Sequence, residues 1–137
     1  MMITYVLDAS ALIRFVDDEA GAERVEVILS ACAASQARIC ISAVQWGEVA
    51  ANYRKRFGPA QEIYIMSTIL PSEATIIPAT AERAVHAAEF RVDRKISYAD
   101  AFALDLAMDS PEHILVTADY EFKAVNDLAR IEFLPAN

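Results

Sequence analysis

Four acidic residues occupy positions in this sequence where their carboxylates could act together. Asp8 follows an apolar run near the N-terminus, and Asp119 follows a second apolar run near the C-terminus. Asp100 lies one turn into a predicted helix, and Glu48 lies one to two turns into another. Grouped carboxylates bind hard cations such as Mg²⁺ or Mn²⁺, which prefer oxygen ligands. Because such ions can activate water and stabilise charge on a phosphodiester, the chemistry indicated is metal-assisted hydrolysis.

Each of these acids also has a structural interpretation. Asp8 and Asp119 each precede a predicted helix, where a side-chain oxygen commonly caps the first free backbone N–H groups. The segment from Ser97 to Asp100 is close to a capping box. Glu48 lies off the apolar stripe of its helix, so a solvated carboxylate is the default for that position. Asp100 instead falls among the apolar residues of its helix, where a carboxylate needs a partner or a metal.

Short apolar runs alternate with helical patterns along the whole chain. The five predicted strands are residues 3–7, 38–41, 74–77, 113–116 and 130–134. The predicted helices are residues 12–17, 22–35, 43–56, 60–69, 80–91, 97–108 and 120–125. This alternation predicts an α/β fold: a single domain over residues 1–137, with a central parallel sheet of about five strands and helices on both faces. Ligands of such sheets bind beyond the carboxyl ends of the strands. Asp8 directly follows the first predicted strand, and Asp119 comes after Thr117 and Ala118 beyond the fourth.

Composition predicts a folded domain, and we expect neither a signal peptide nor a membrane span. Of the 137 residues, 55% are hydrophobic and 23% charged, a balance that excludes intrinsic disorder. The N-terminus lacks the basic region of a signal peptide, and no apolar run is long enough to span a bilayer. Cys32 and Cys40 are expected to be reduced and buried. We therefore expect a cytoplasmic protein.

The net charge of −8, from 20 acidic and 12 basic residues, is unusual for a protein that binds nucleic acid through phosphates. A bound metal or a basic partner would have to supply the positive potential. Two basic clusters, Arg54 to Arg56 and Arg91 to Lys95, are solvated faces by default, although either could steer a phosphate backbone.

Two other enzyme classes also place carboxylates at the edge of such a sheet. A phosphoacceptor receiver domain needs adjacent acids after the first strand and a lysine after the fifth. A phosphatase with an aspartyl nucleophile needs Asp-x-Asp after the first strand. Because the sequence here is Asp8-Ala9-Ser10, neither class fits.

Taken together, the chain resembles the PIN-domain nucleases, and within them the VapC-like toxins of bacterial type II toxin–antitoxin pairs. The resemblance rests on four segments in order: Leu-Asp-Ala-Ser-Ala-Leu at 7–12, Ile-Ser-Ala-Val to Glu-Val at 41–49, Ser-Tyr-Ala-Asp-Ala at 97–101, and Val-Thr-Ala-Asp-Tyr-Glu-Phe at 116–122. Any one of these segments is a weak signal. All four occur at the expected places in the strand–helix alternation, and together they span almost the whole chain.

The resemblance implies a set of functional residues. Four carboxylates would hold the metal and carry catalysis: Asp8, Glu48, Asp100 and Asp119. For Glu48, the role implied by the resemblance replaces the earlier expectation of a solvated surface carboxylate. Ser10 and Thr117 would position metal-bound waters or phosphate oxygens. Asp105 is an additional acid, which we expect at the surface or behind the site.

The function implied is that of a metal-dependent endoribonuclease acting as a toxin. One or two Mg²⁺ ions, or Mn²⁺ in their place, would activate a water that attacks the phosphodiester in line. The resemblance further implies structured RNA such as transfer RNA as substrate, a small antitoxin as partner, and a homodimer. The alternative is a PIN-fold module that has lost catalysis and only binds RNA or protein.

Overall fold

Five strands form one parallel sheet in the computed structural model, which describes residues 2–137. The strands are β1 (Thr4–Leu7), β2 (Arg38–Ser42), β3 (Thr75–Ile77), β4 (His113–Thr117) and β5 (Arg130–Phe133). Their order across the sheet is β3-β2-β1-β4-β5, and every neighbouring pair is parallel. The predicted α/β class and the parallel sheet of five strands are confirmed.

Six α-helices and one short 3₁₀ helix connect the strands. The helices are α1 (Ala9–Val16), α2 (Ala22–Ala33), α3 (Ala43–Phe57), α4 (Pro59–Thr68), α5 (Ala81–Arg94) and α6 (Tyr98–Ala107), and the 3₁₀ helix is Tyr120–Val125. Successive strand residues face opposite sides of a sheet. Accordingly, Leu7 belongs to a core shared with α1 to α4, whereas Val6 belongs to a second core shared with α5 and α6. Helices therefore cover both faces, as predicted.

The chain changes direction across the sheet next to β1. It runs outward from β1 to β2 and β3, and then returns to β4 on the other side of β1. The two central strands are in register, with Leu7 opposite Val116. In open parallel sheets the ligand crevice lies at this switch point, beyond the carboxyl ends of the strands. The residues that follow Leu7 and Thr117 are therefore placed side by side at this edge.

Helix α1 begins three residues earlier than predicted, at Ala9 instead of residue 12. The reason is local, because Asp8 is extended and its side chain accepts a hydrogen bond from the backbone N–H of Ala11. The helix-capping role that the sequence suggested for Asp8 is therefore present in the structure. Asp119 likewise caps the 3₁₀ helix by accepting from the N–H of Glu121.

Asp105 is buried, contrary to the expectation that it lies at the surface or behind the site. Its side chain faces α5, where Oδ2 accepts a hydrogen bond from Arg83 Nη1 at 2.8 Å and Oδ1 lies 2.9 Å from His86 Nδ1. A buried carboxylate is tolerated when it is paired in this way. The helical surface on which it lies is covered by α5, so Asp105 belongs to the α5–α6 contact.

Both cysteines are free thiols, as expected, although only Cys32 is fully buried and Cys40 is partly exposed. Between residues 2 and 137, no helix combines the length and the apolar character that crossing a membrane requires.

Candidate functional site

Asp8 is buried directly after β1, at the centre of the sheet edge. Its side chain is 1% exposed. Oδ1 accepts hydrogen bonds from Ser10 Oγ at 2.7 Å and from Ala11 N at 2.9 Å, and Oδ2 accepts one from the hydroxyl of Thr117. The pKa of Asp8 is raised to about 6, mainly by burial and to a smaller extent by the negative charge of Asp119. The hydrogen bonds to its oxygens act in the opposite direction and lower the pKa.

The hydroxyls of Ser10 and Thr117 connect the start of α1 to the segment that follows β4. Ser10 Oγ accepts a hydrogen bond from the N–H of Ala118 at 2.8 Å, and Thr117 Oγ1 accepts one from the N–H of Asp119 at 2.9 Å. Each hydroxyl has a single proton. Both protons are donated to Asp8 and each oxygen accepts one backbone N–H, so the two side chains fix the backbone that carries Asp119.

Three carboxylates meet in front of this network. Asp100, Asp119 and Glu121 each offer one oxygen, and these oxygens lie within 4.8 Å of one another. Asp100 belongs to the first turn of α6, where its N–H donates to Ser97 Oγ at 3.1 Å. Burial, together with the adjacent negative charges of Asp119 and Asp8, raises the pKa of Asp100 to about 7. Like charges so close together favour either a proton or a cation between them.

Gln45 links this group to the rest of the sheet edge. Its side chain is 1% exposed, in the first turn of α3. Oε1 accepts a hydrogen bond from the N–H of Ala9 at 2.6 Å, while Nε2 donates to the carbonyl of Ala99 at 2.7 Å and lies 3.5 Å from Asp100 Oδ1. The amide therefore contacts both α1 and α6.

Glu48 lies outside the group of three carboxylates. It is exposed on α3, one turn after Gln45. Within residues 2–137 its side chain makes no hydrogen bond or ion pair. Desolvation by the surrounding protein atoms nevertheless raises the pKa of the Glu48 carboxyl. Its role at the site stays a prediction.

Two residues of this edge were given no role by the sequence analysis. Glu121 lies in the last of the four family segments, two residues after Asp119, and its side chain is exposed. Gln45 carried a clearer signal. It precedes Val49 by four residues and Tyr53 by eight, so it lies on the buried stripe of α3, where a polar side chain needs partners.

The donor set fits a hard divalent cation. Carboxylate oxygens are the ligands that Mg²⁺ and Mn²⁺ prefer. Two oxygens bound to one Mg²⁺ at about 2.1 Å lie at most about 4.2 Å apart. Separations within 4.8 Å therefore need only small rotations of Asp100, Asp119 and Glu121 to enclose an ion.

Comparison with known sequence families identifies the domain. The sequence profile of the PIN domain matches residues 5–128. The chain belongs to the PIN-domain family. A search of curated proteins finds no match.

Several solved structures share the fold of this PIN domain. VapBC2 from Rickettsia felis, solved with a DNA fragment from its promoter, is 19% identical with a TM-score of 0.72, covering 97% of this chain and 100% of that one. Mycobacterium tuberculosis VapC20, described as a Sarcin-Ricin loop cleaving toxin, is also 19% identical with a TM-score of 0.72, covering 96% and 99%. A toxin–antitoxin complex from Klebsiella pneumoniae is 23% identical with a TM-score of 0.64, covering 86% and 89%. The predicted resemblance to VapC-like PIN domains is confirmed at the level of the fold.

The basic clusters of the PIN domain are partly neutralised by ion pairs. Arg56 binds Asp17 at 2.9 Å and lies over the rings of Tyr53 and Phe57. Arg94 binds both carboxylate oxygens of Asp127. Among the described residues, those of the two clusters without an ion pair are Lys55, Arg91 and Lys95. Only part of each cluster is therefore available to a polyanion.

Proposed function

We propose that this PIN domain is a divalent-metal-dependent endoribonuclease and the toxin of a toxin–antitoxin pair. The observation that carries the proposal is the convergence of Asp100, Asp119 and Glu121 at the switch point of the sheet, with oxygens within 4.8 Å of one another. Three carboxylates at this place favour a cation, and a cation held in an open crevice can act on a phosphodiester.

The proposed ligands are Asp100, Asp119 and Glu121, with Mg²⁺ as the expected ion and Mn²⁺ as the alternative. When bound, the ion would supply a polarised water and positive charge for the phosphodiester oxygens. Asp8, which the resemblance also places among the metal ligands, lies outside the three converging oxygens and would add its negative charge to the group while it orders Ser10 and Thr117. Ser10 and Thr117 would hold the Asp119 segment in place, and they remain proposed to position metal-bound waters or phosphate oxygens. Glu48 remains proposed as a further acidic contributor.

The substrate and partner are proposed from the structural relatives. VapC20 is described as cleaving the Sarcin-Ricin loop, and the relative from Klebsiella pneumoniae is a toxin–antitoxin complex. We therefore propose structured RNA as the substrate class, with transfer RNA as one candidate, and a small antitoxin as partner. The net charge of −8 suits a partner with basic side chains. A homodimer in the cytoplasm is part of the same proposal.

The decisive experiment measures RNA cleavage with and without metal. The purified chain is incubated with total RNA in Mg²⁺, in Mn²⁺ or with a chelator, and the new 5′ ends are sequenced. We expect discrete cleavage sites that require the metal and disappear in Asp119→Asn. Asp109→Asn is the matched control, because Asp109 is an acid outside the carboxylate group, paired with Arg83, and it should leave cleavage intact. A folded wild type that binds RNA but cuts none under either metal would indicate the inactive interaction module instead.

Toxicity in bacteria tests the same proposal in cells. Expression of the chain alone should slow growth, and Asp100→Ala should restore growth because it removes a proposed ligand. A folding control is needed, since Asp100 belongs to the first turn of α6. Continued toxicity of a well-folded Asp100→Ala variant would remove this residue from the catalytic set.

A further inference from the structure

Gln45 is a buried amide whose orientation is determined by its neighbours. A backbone N–H can only donate and a carbonyl can only accept. The oxygen of the amide must therefore face Ala9 N, at 2.6 Å, and its nitrogen must face the carbonyl of Ala99, at 2.7 Å. With one N–H used on Ala99, the second N–H of Nε2 is left toward Asp100 Oδ1, 3.5 Å away.

We infer that Gln45 is a positioning residue that sets the Asp100 carboxylate for cation binding. The inference rests on the proposed function, since it concerns the same carboxylate group. Asp100 is one of the three acids that converge, and Gln45 is a neutral side chain that donates toward it from behind.

The contacts of Gln45 connect the helices that carry the two sides of the site. Ala9 is the first residue of α1 and follows Asp8, while Ala99 precedes Asp100 in the first turn of α6. Gln45 itself lies in the first turn of α3. A single rigid amide thus fixes the start of α6 relative to the start of α1, and with it the distance between Asp100 and the segment around Asp8.

The chemistry of an amide suits this position better than that of a charged donor. A lysine or arginine beside Asp100 would neutralise the negative charge that a cation requires. An amide N–H orients the same carboxylate oxygen and leaves the net charge of the group unchanged. Residues that hydrogen-bond to metal ligands in this way commonly change metal affinity about 10- to 100-fold when they are removed.

A purely structural role predicts a different outcome for the same substitutions. The N–H of Ala9 lies in the first turn of α1, where no intrahelical acceptor exists, and Gln45 satisfies it. If this were the whole role, losing Gln45 would lower stability and leave the affinity of the folded protein for metal unchanged. Metal affinity therefore separates the two roles.

The test compares Mn²⁺ affinity and melting temperature in three proteins. Gln45→Met keeps a side chain of similar length without donor or acceptor. Val49→Ala is the matched control, since Val49 is buried one turn further along α3 and its truncation lowers stability without touching the carboxylate group. Calorimetric titration with Mn²⁺ should give a Kd about tenfold weaker in Gln45→Met, and a Kd within about twofold of wild type in Val49→Ala, although both variants melt below wild type.

The outcomes distinguish this inference from the proposed function. If wild type binds Mn²⁺ and Gln45→Met binds it equally well, Gln45 is structural and the inference is refuted, while the proposed function stands. If wild type binds no Mn²⁺, both are refuted. Should Gln45→Met not fold, Gln45→Asn replaces it. It retains the amide but is one methylene too short to span Ala9 and Asp100, and it is expected to show the same loss of affinity.

Discussion

At the scale of single residues, Asp8 shows how the protein holds a carboxylate without exposing it. Two hydroxyls and one backbone N–H donate to its oxygens, and yet burial keeps its pKa near 6. The hydrogen bonds therefore offset only part of the cost of burying the charge. At neutral pH the ionised Asp8 therefore costs folding free energy, while its oxygens order Ser10 and Thr117.

Asp8→Asn is predicted to stabilise the metal-free protein or leave it unchanged. Asparagine caps a helix as well as aspartate does, and it carries no charge to desolvate. At pH 8 without metal the variant should therefore melt no lower than wild type. The rise in melting temperature caused by Mn²⁺ should be smaller in Asp8→Asn, because the charge behind the ligands is gone. Melting curves with and without Mn²⁺ measure both effects, and an unaltered Mn²⁺ response would reduce Asp8 to a helix cap.

Asp105→Ala should lower the stability of the protein and leave its response to Mn²⁺ unchanged, which is the opposite of the result expected for Asp8→Asn. Asp105 is 5% exposed and joins Arg83 and His86 of α5 to α6. Removing a buried partner of this kind costs about 1–3 kcal/mol, and the remaining pairing of Arg83 with Asp109 keeps the loss toward the lower part of that range. We expect a lower urea midpoint and unchanged Mn²⁺ affinity. A weakened Mn²⁺ affinity would connect the α5–α6 contact to the site, against this prediction.

At the scale of elements, two glycines with different environments give a paired prediction about stability. Gly21 precedes α2 with φ of +92°, and a Cβ built there would lie 2.9 Å from Leu134 Cβ. Gly47 lies within α3, where a Cβ would meet nothing within 4 Å. Gly21→Ala should cost about 2–4 kcal/mol from backbone strain and overlap. Gly47→Ala should gain about 0.5–1 kcal/mol, because alanine loses less entropy in a helix.

Urea unfolding of both glycine variants checks this pair. The two substitutions are chemically identical, so a general effect of the added methyl group would move both midpoints in the same direction. Equal shifts of the two urea midpoints would therefore contradict the different surroundings described for Gly21 and Gly47.

The strands and helices could be predicted because the sequence patterns that specify them are local. Apolar runs defined the strands, and the strand–helix alternation gave the parallel order and the edge at which Asp8 and Asp119 emerge. The start of α1 was placed late because the capping geometry of Asp8 depends on ψ near 176°, which no apolar pattern records. Element boundaries are set by such individual hydrogen bonds.

The candidate site was predictable only in part, for a related reason. Asp100 was identified because its position on an apolar helix face demanded a partner. Glu121 is an exposed acid in a short 3₁₀ helix, where no periodicity indicates which side chains face the sheet edge. Gln45 lies on a stripe that the pattern did show, but its partners belong to α1 and α6 and are set by tertiary packing.

At the scale of the whole molecule, pH, metal and folding should be linked through the buried acids. The pKa values of Asp8 and Asp100 are raised to about 6 and about 7, from an ordinary value of 3.8. The folded chain therefore holds protons between about pH 4 and 7 that the unfolded chain has released. Stability must then increase as the pH falls through these pKa values, and it is lost as the pH rises through them.

The metal-free protein is accordingly predicted to be more stable at pH 5 than at pH 8. Each pKa unit corresponds to about 1.4 kcal/mol, and at pH 5 the two groups together contribute roughly 2–3 kcal/mol after allowance for the partial exposure of Asp100. The melting temperature without metal should rise by several degrees on going from pH 8 to pH 5. Asp100→Asn should flatten this profile, because its side chain takes up no proton.

Saturating Mn²⁺ is predicted to reduce this difference in stability between pH 5 and pH 8. A cation that binds only the folded state adds about 2.7 kcal/mol at a hundredfold excess over Kd. Its affinity is greatest where the carboxylates are ionised, so the rise in melting temperature should be larger at pH 8 than at pH 5. Melting curves of wild type and Asp100→Asn at both pH values, with Mn²⁺ or with a chelator, give the complete comparison. A rise that is equal at pH 5 and pH 8 would mean that the ion binds away from Asp8 and Asp100, because no proton would then compete with it.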